Sequence, residues 1–205
     1  ADIASKDYVS YCHSQGIEVW GLFSNFENTD VDAYYTIARP NNSGKDTLNG
    51  HYEIMGVKND IQFKTFTEKG FPRELIDEIE YITKRRVIGN KNSINNGLDI
   101  INELGERHIE EGFLIVYTSN GSNLQIAAHE NIIPVAKLYE YAEKIRNITL
   151  REEWKIGRVI ARPFTGRIGN FRFTNERQDY AVKPPTMSVM NYLQEKNLSV
   201  ISIGK

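Results

Sequence analysis

Residues 44–50, Gly-Lys-Asp-Thr-Leu-Asn-Gly, hold the side chains best suited to phosphate chemistry. Thr47 opens a pattern that predicts a helix, and a helix start carries unpaired N–H groups and the positive end of the helix dipole. Such a position stabilises a phosphate, and the glycines would let the backbone approach it closely. A threonine acts as a nucleophile only beside a base or a metal. The segment therefore makes Thr47 a candidate phosphate carrier.

The same residues are also typical of an ordinary helix start. Asp46 or Thr47 could simply accept a hydrogen bond from the first turn, which is the common role of such residues. The spacing differs from the Walker phosphate loop, so the pattern does not predict a nucleotide site of that kind. From the residues alone, both interpretations stay open.

Seven stretches of the chain resemble, in the same order, the phosphopentomutases, a family of the alkaline phosphatase superfamily. The resemblance covers most of the chain, from residue 44 to the end. The stretches are GKDTLNGHYEIMG at 44–56, VIGNK at 87–91, LIVYTS at 114–119, LQIAAHE at 124–130, GRVIARPF at 157–164, NERQDYAVKPP at 175–185 and ISIGK at 201–205.

The order of predicted elements is typical of an α/β protein, because strands alternate with helical patterns of 10 to 15 residues. The resemblance implies more: an inserted α/β cap domain and part of an alkaline-phosphatase-like core. It places core segments at 1–59, which holds the nucleophile, and at 184–205. The cap would occupy 60–183.

The resemblance implies an enzyme that interconverts ribose 1-phosphate and ribose 5-phosphate, and their 2-deoxy counterparts. In the family, the threonine that matches Thr47 is phosphorylated and contacts two divalent metal ions, usually manganese. The phosphothreonine would give its phosphoryl group to the sugar phosphate, forming a bisphosphate that returns the other phosphate. Such transfer depends on positioning and on neutralising spread negative charge.

Four further positions are candidate substrate ligands by resemblance. Arg158 and Ile160 fall where the family places cap residues near the ribose, and Lys205 matches a lysine that binds the substrate phosphate. Arg177 is a better candidate than Arg172, while Arg162 could equally pair within a turn before Pro163. An arginine offers phosphate a planar fork, and a lysine offers it a point charge.

Two departures from the family change the expected sugar contacts. An aspartate that would bind the ribose is Gly121 in this chain. Sugar recognition is therefore expected to shift to Ser119, Asn120 or Ser122. Phe173 stands where the family tends to have an arginine. Arg172 is one position away, and a one-residue shift on a strand turns a side chain to the other face.

The metal-binding segments of the family have no match in this chain. The four histidines are scattered, and none has a metal-ligand spacing such as HExxH. Of the groups that contact metal in the family, Thr47 alone is recognised. The simplest interpretation is a piece of a longer enzyme. Two alternatives are a phosphatase or phosphoglycerate mutase relative, and a non-catalytic module that binds sugar phosphates.

Composition limits which binding partners and which cellular compartment are expected. The chain has 205 residues, 40% of them hydrophobic, and a net charge of -2. This charge gives no reason to expect nucleic acid or an anionic membrane. No run approaches the ~20 apolar residues of a membrane span. The single cysteine and the absence of a signal-peptide pattern favour a cytoplasmic protein.

The coarse secondary structure follows from hydrophobic periodicity and from proline positions. The pattern predicts helices after Thr47, after Pro72, over 96–111, after Pro134 and over 186–196. It predicts strands over 17–23, 87–88, 113–118, 124–128, 159–161, 171–173 and 198–203. A turn is expected at Arg162 and Pro163, and a polar loop is expected between Phe173 and Asp179.

Overall fold

The structure is a computed structural model that describes residues 41–44, 46–92 and 97–201. The chain divides into two compact units, Ala1–Asn41 and Asn42–Lys205, and nearly all of the described residues belong to the second. The strand predicted over 17–23 lies outside the described residues, as do Lys45 and Lys205.

Helices and strands alternate along the described residues, as the periodicity predicts. The described residues form five helices: α1 (Thr47–Ile54), α2 (Arg73–Thr83), α3 (Gly97–Glu111), α4 (Val135–Thr149) and α5 (Val189–Glu195). In the same part of the chain there are six strands: β1 (Val87–Asn92), β2 (Leu114–Thr118), β3 (Asn123–His129), β4 (Arg158–Arg167), β5 (Asn170–Phe173) and β6 (Gln178–Ala181).

The six strands form one mixed sheet in the order β1-β2-β3-β4-β5, with β6 also paired to β4. The β1–β2 and β3–β4 pairs are parallel, whereas β2–β3, β4–β5 and β4–β6 are antiparallel. Parallel pairs need a crossover connection, and here α3 joins β1 to β2 while α4 joins β3 to β4. This arrangement confirms the α/β class.

The central strands β2 and β3 are buried on both faces of the sheet. On β2, Leu114 and Val116 pack into the cluster that includes the apolar faces of α2 and α4, whereas Ile115 and Tyr117 pack with α3. Alternate residues of a strand point to opposite faces, so a continuous apolar run is what a two-sided strand requires. The helices therefore cover the sheet from both sides.

β4 is longer than predicted. The prediction of a turn at Arg162 and Pro163 is wrong. The strand runs through both residues, and Pro163 pairs with Ala128 of β3. The Pro163 carbonyl accepts from the Thr174 N–H, so the missing N–H of the proline faces the same edge. On that edge of β4, the ladder with β6 ends at Ala161 and the ladder with β5 starts at Phe164. Pro163 lies between the two ladders, so no strand there requires a backbone N–H from it.

The polar loop expected between Phe173 and Asp179 is confirmed over residues 174–177, and β6, which the sequence did not predict, begins at Gln178. The residues of β6 are mostly exposed and give no apolar pattern. One further prediction is wrong. The strand predicted over 198–203 is absent from its described part, residues 198–201, and Ile201 is 84% exposed. Among the described helices, none has the length and apolar character needed to cross a membrane.

A buried histidine makes the stability of this fold depend on pH. The His129 backbone N–H donates to Nε2 of His108 (2.9 Å), so the Nδ1–H of His108 donates to the Phe113 carbonyl. His108 is fully buried, and burial lowers its pKa in the folded state below the ordinary value. The imidazole is therefore held neutral.

Stability should fall as the pH drops below about 6.5, where the unfolded histidine begins to take up a proton that the folded one resists. The loss should be complete once the pH lies below the folded pKa. Urea unfolding at several pH values would measure it, with His108→Gln as the comparison. The variant should lose less stability between about pH 7 and pH 5. Equal losses in both proteins would contradict this role.

Candidate functional site

A cavity of about 720 Å³ lies beside the start of α1. Its lining comes from α1, from β4 and β6, and from the segment that leads into α5. The polar lining residues are Thr47, His51, Arg158, Arg177, Asp179 and Ser188. Apolar side chains such as Leu48, Met55 and Val57 complete the wall. The cavity thus combines an apolar surface with hydroxyl groups, two guanidinium groups and the Asp179 carboxylate.

Asp46 sets the first residue of α1. Its backbone is extended, and its Oδ1 accepts a hydrogen bond from the Leu48 N–H at 2.8 Å. This is the geometry of an N-cap, which pairs one of the free N–H groups of the first turn. Because Asp46 takes the capping role, Thr47 becomes the first helical residue, and its side chain is exposed. The capping interpretation thus holds for Asp46 and leaves Thr47 available.

The second oxygen of the same carboxylate ties α1 to the sheet. Asp46 Oδ2 accepts from the Ser122 N–H at 2.6 Å and lies 3.8 Å from Nη2 of Arg158. The side chain of Asp46 is 2% exposed and that of Arg158 is 15% exposed. A buried carboxylate needs such partners to offset its lost hydration. Asp46 therefore places Thr47 beside the first residue of β4.

Gly44 serves the packing of this segment. A Cβ at Gly44 would lie 2.5 Å from Nδ2 of Asn49 and 2.8 Å from Oδ1 of Asn42. Both side-chain amides are hydrogen-bonded, since Asn49 Nδ2 and Asn42 Nδ2 each donate to the Ile61 carbonyl. The close approach that this glycine permits is therefore to two asparagine side chains. By contrast, nothing lies within 4 Å of a Cβ at Gly50.

Tyr52 fixes the other side of α1. Its hydroxyl donates to the Val182 carbonyl, which directly follows β6. Burial, with the nearby Asp46 carboxylate as a smaller cause, raises the pKa of Tyr52 to about 12. The phenol thus stays neutral and remains a donor. α1 is held at its start by Asp46 and in its middle by Tyr52.

Arg177 and Asp179 form a two-point ion pair at the cavity. Arg177 Nε donates to Asp179 Oδ1 at 2.6 Å, and Arg177 Nη2 donates to Asp179 Oδ2 at 2.7 Å. This contact raises the pKa of Arg177, so the guanidinium remains charged. β6 brings the pair to the site, because Asp179 lies opposite Ile160 and Ala181 lies opposite Arg158 in the β4–β6 ladder.

Three of the predicted site residues meet at this cavity. Thr47, Arg158 and Arg177 all line it, although 130 residues separate the first from the last. Ile160 lies two residues from Arg158 on β4 and is 3% exposed. Lys205 is outside the described residues. The roles assigned to these residues stay predictions.

Ser119 and Asn120 lie in the loop between β2 and β3 and do not belong to the cavity lining. The Ser119 hydroxyl donates to Asn123 Oδ1 at 3.1 Å and accepts from Gln125 Nε2 at 3.1 Å. The Ser122 hydroxyl accepts from the Gly157 N–H and donates to the Lys64 carbonyl. These hydroxyls serve the local structure, and sugar binding by Ser119 or Asn120 remains a prediction.

Position 121, where the resemblance implies an aspartate, is constrained by its surroundings. Gly121 has a φ of +97°, which favours glycine, and a Cβ there would lie 3.0 Å from Asp46 Oδ2. The Asp46 carboxylate therefore occupies the space beside this residue. An aspartate at 121 would also bring a second negative charge to it.

Gly121→Asp should destabilise the protein by about 2 kcal/mol, through backbone strain and like-charge repulsion. Gly121→Asn keeps the shape, tolerates positive φ and lacks the charge, so it should cost less. Urea unfolding of the two variants and the parent protein would measure the cost of backbone strain and the cost of charge repulsion. An aspartate variant as stable as the parent would show that Asp46 does not fill this position.

Phe173 and its neighbour Arg172 occupy the positions where the resemblance implies an arginine. Arg172 is exposed on β5 and lies opposite Thr165. Phe173 has the Arg162 guanidinium carbon 3.9 Å from its ring centroid. Burial lowers the pKa of Arg162 below its ordinary value. The Arg162 guanidinium is thus stacked on the ring of Phe173, at the position where the resemblance implies an arginine.

Sequence reasoning missed Asp46 and Asp179 as partners of the site arginines. Asp46 is marked only by its place before Thr47, which also suits a simple cap. Asp179 sits in a polar stretch with no pattern of its own. Both contacts depend on the β4–β6 ladder and on the docking of α1, which the chain order does not reveal.

Manganese would need clustered carboxylate and imidazole ligands. Among residues 41–44, 46–92 and 97–201, no group of three or more His, Cys, Asp or Glu side chains is placed to hold a metal ion. The nearest carboxylate to Thr47 along the chain, Asp46, is already used by backbone donors and Arg158. The described residues therefore do not form the two-metal site that the resemblance implies.

No protein-family model matches this chain.

Proposed function

We propose that the cavity binds a pentose phosphate and that Thr47 carries a phosphoryl group, as in a phosphopentomutase. The observation that supports this most is that Thr47 shares the cavity with two arginines brought from distant parts of the chain. A helix start, an exposed hydroxyl and two guanidinium groups are the features that a phosphorylated residue and a second phosphate would use.

The charges suit a ligand with two phosphate groups. A phosphoryl group on Thr47 would sit at the positive end of the α1 dipole. Arg158 and Arg177 would face the spread charge of the phosphates, which is where arginine stabilises phosphoryl transfer. The pKa of Arg177 is raised by its ion pair, so its charge persists at neutral pH.

The proposed transfer balances within the chain and its ligand. The bond between phosphorus and Thr47 Oγ breaks as phosphorus bonds to the free hydroxyl oxygen of a pentose monophosphate. The proton of that hydroxyl passes to Thr47 Oγ. The bisphosphate then returns its other phosphate to Thr47 by the reverse of this step.

A second candidate function is a module that binds sugar phosphates without turnover. The lack of a metal-ligand cluster among the described residues favours it. It shares the same cavity and the same arginines, so binding alone does not separate the two functions. Phosphate on Thr47 does, because the module has no step that places it there.

The binding half of the proposal is tested with ribose 5-phosphate and single variants. Arg158→Gln and Arg177→Gln should each weaken binding by about tenfold, because each removes a charge-assisted contact worth roughly 1.5 kcal/mol. Arg172→Gln is the matched control, since Arg172 is exposed on β5 and is not part of the cavity lining. Calorimetry measures the affinities. Equal effects of the three substitutions would contradict binding in this cavity.

A further inference from the structure

Both arginines of the cavity already hold a carboxylate of their own chain. Arg158 lies 3.8 Å from Asp46, and Arg177 is paired at two points with Asp179. A carboxylate presents its two oxygens to the guanidinium fork in the way that a phosphate does. A ligand phosphate that binds the Nε and Nη2 donors of Arg177 must therefore take the place of Asp179.

The two carboxylates differ in how easily they could be displaced. Asp46 is almost fully buried and accepts from two backbone N–H groups, so its position is fixed by the fold. Asp179 is 32% exposed and, among the described residues, its carboxylate has hydrogen bonds from Arg177 alone. Water can therefore solvate Asp179 once the arginine turns to another anion.

We infer that Asp179 is an internal competitor that occupies Arg177 in the absence of ligand and lowers the affinity of the site for phosphate. The inference rests on the proposed pentose phosphate site and adds a residue that sets its affinity. Asp179 is not a catalytic residue, because it acts through Arg177. In the bound state its negative charge would also face the phosphate.

The physical consequence is a site that exchanges its ligand readily. An exposed arginine–carboxylate pair contributes little, so its loss is easily offset by a phosphate with a larger charge. When the phosphate leaves, the carboxylate returns to the fork, so the guanidinium is not left without an anion. A mutase that hands a bisphosphate back and forth needs such a balance, because overly tight binding would slow release.

The test measures binding of ribose 5-phosphate and of inorganic phosphate to the full chain and to Asp179→Asn. The variant should bind both ligands up to about fivefold more tightly, mainly through slower dissociation. Glu176→Gln is the matched control. This control removes the same charge three residues earlier, from the loop that precedes β6. Glu176 contacts Tyr139, and the affinity of this variant should stay near that of the parent.

A double variant separates competition from positioning. If Asp179 competes for Arg177, Asp179→Asn should give no gain in a chain that already carries Arg177→Gln. Weaker binding by Asp179→Asn would overturn the inference and make Asp179 a positioning residue. An equal gain in Glu176→Gln, or a gain that persists without Arg177, would also overturn it.

The outcomes distinguish this inference from the proposed function. If the parent chain binds ribose 5-phosphate and Asp179→Asn binds it no more tightly, the inference alone fails. If neither protein binds either ligand, the proposed site fails and the inference fails with it. Thermal unfolding of each variant checks that the fold is kept. Asp179→Ala repeats the binding test with a side chain that cannot accept a hydrogen bond from Arg177.

Discussion

Replacing Thr47 by valine should abolish phosphoryl transfer between ribose 1-phosphate and ribose 5-phosphate. Valine keeps the branched shape of threonine at the first position of α1 and removes only the hydroxyl. The expected loss of turnover is at least about 10³-fold, since removal of a nucleophile takes away the covalent route itself. A coupled assay with a bisphosphate primer, run with and without added manganese, measures it.

Thr47→Ser is the control, because serine retains a hydroxyl at the helix start. It should keep a measurable fraction of the activity, whereas valine keeps none above background. Ribose 5-phosphate binding should survive in both variants, because Arg158 and Arg177 are unchanged. Full turnover in the valine variant would remove Thr47 from the proposed reaction.

Removing the Asp46 carboxylate should have the largest effect on stability among the residues around the cavity. In Asp46→Ala, the N–H groups of Leu48 and Ser122 lose their acceptor and the largely buried Arg158 loses its counter-charge. A lost cap costs about 1 kcal/mol, and an uncompensated buried charge costs more, so about 3 kcal/mol is expected. Urea unfolding measures the change.

Asp46→Asn separates the two contributions. The amide oxygen can still cap α1, but the charge that faces Arg158 is gone, so the loss should be smaller than for alanine. Asp60→Ala, a substitution of an exposed acid, should leave stability within about 0.5 kcal/mol of the parent. An alanine variant at position 46 that unfolds like the parent would show that α1 is not anchored through this carboxylate.

Elements with a strong apolar pattern could be predicted from the sequence. Leu114–Thr118 is a continuous apolar run bounded by turn residues, and it forms a strand buried on both faces. Helix α2 follows Pro72 with Leu75, Ile76 and Ile79 buried on one side, as the spacing predicts. In both, the side chains that the core needs are also the ones that set the pattern.

Elements defined by pairing could not be predicted in this way. β6 has the sequence QDYA and is mostly exposed, so its existence depends on the free edge of β4. Pro163 suggested a turn. It is tolerated within β4 because it lies between the β6 and β5 ladders, where its N–H would have no partner. For residues 198–201, branched side chains suggested a strand, but no described strand pairs with them.

The candidate site shows the same division. The residues around Thr47 could be recognised because a helix start and a hydroxyl are adjacent in the chain. Ser122, which is 76 residues from Asp46, could not be linked to it, because their contact depends on the docking of α1 against the β2–β3 loop. The Arg177 contact with Asp179 is local, but its place in the cavity depends on β6.

The most direct test is to incubate the chain with a radiolabelled ribose bisphosphate and to map the label by peptide mass spectrometry. The proposed function predicts one phosphoryl group on Thr47, which is removed when unlabelled ribose 5-phosphate is added and is absent from the valine variant. A chain that takes up no label, or that carries it on another residue, would contradict the proposal that Thr47 is the phosphate carrier.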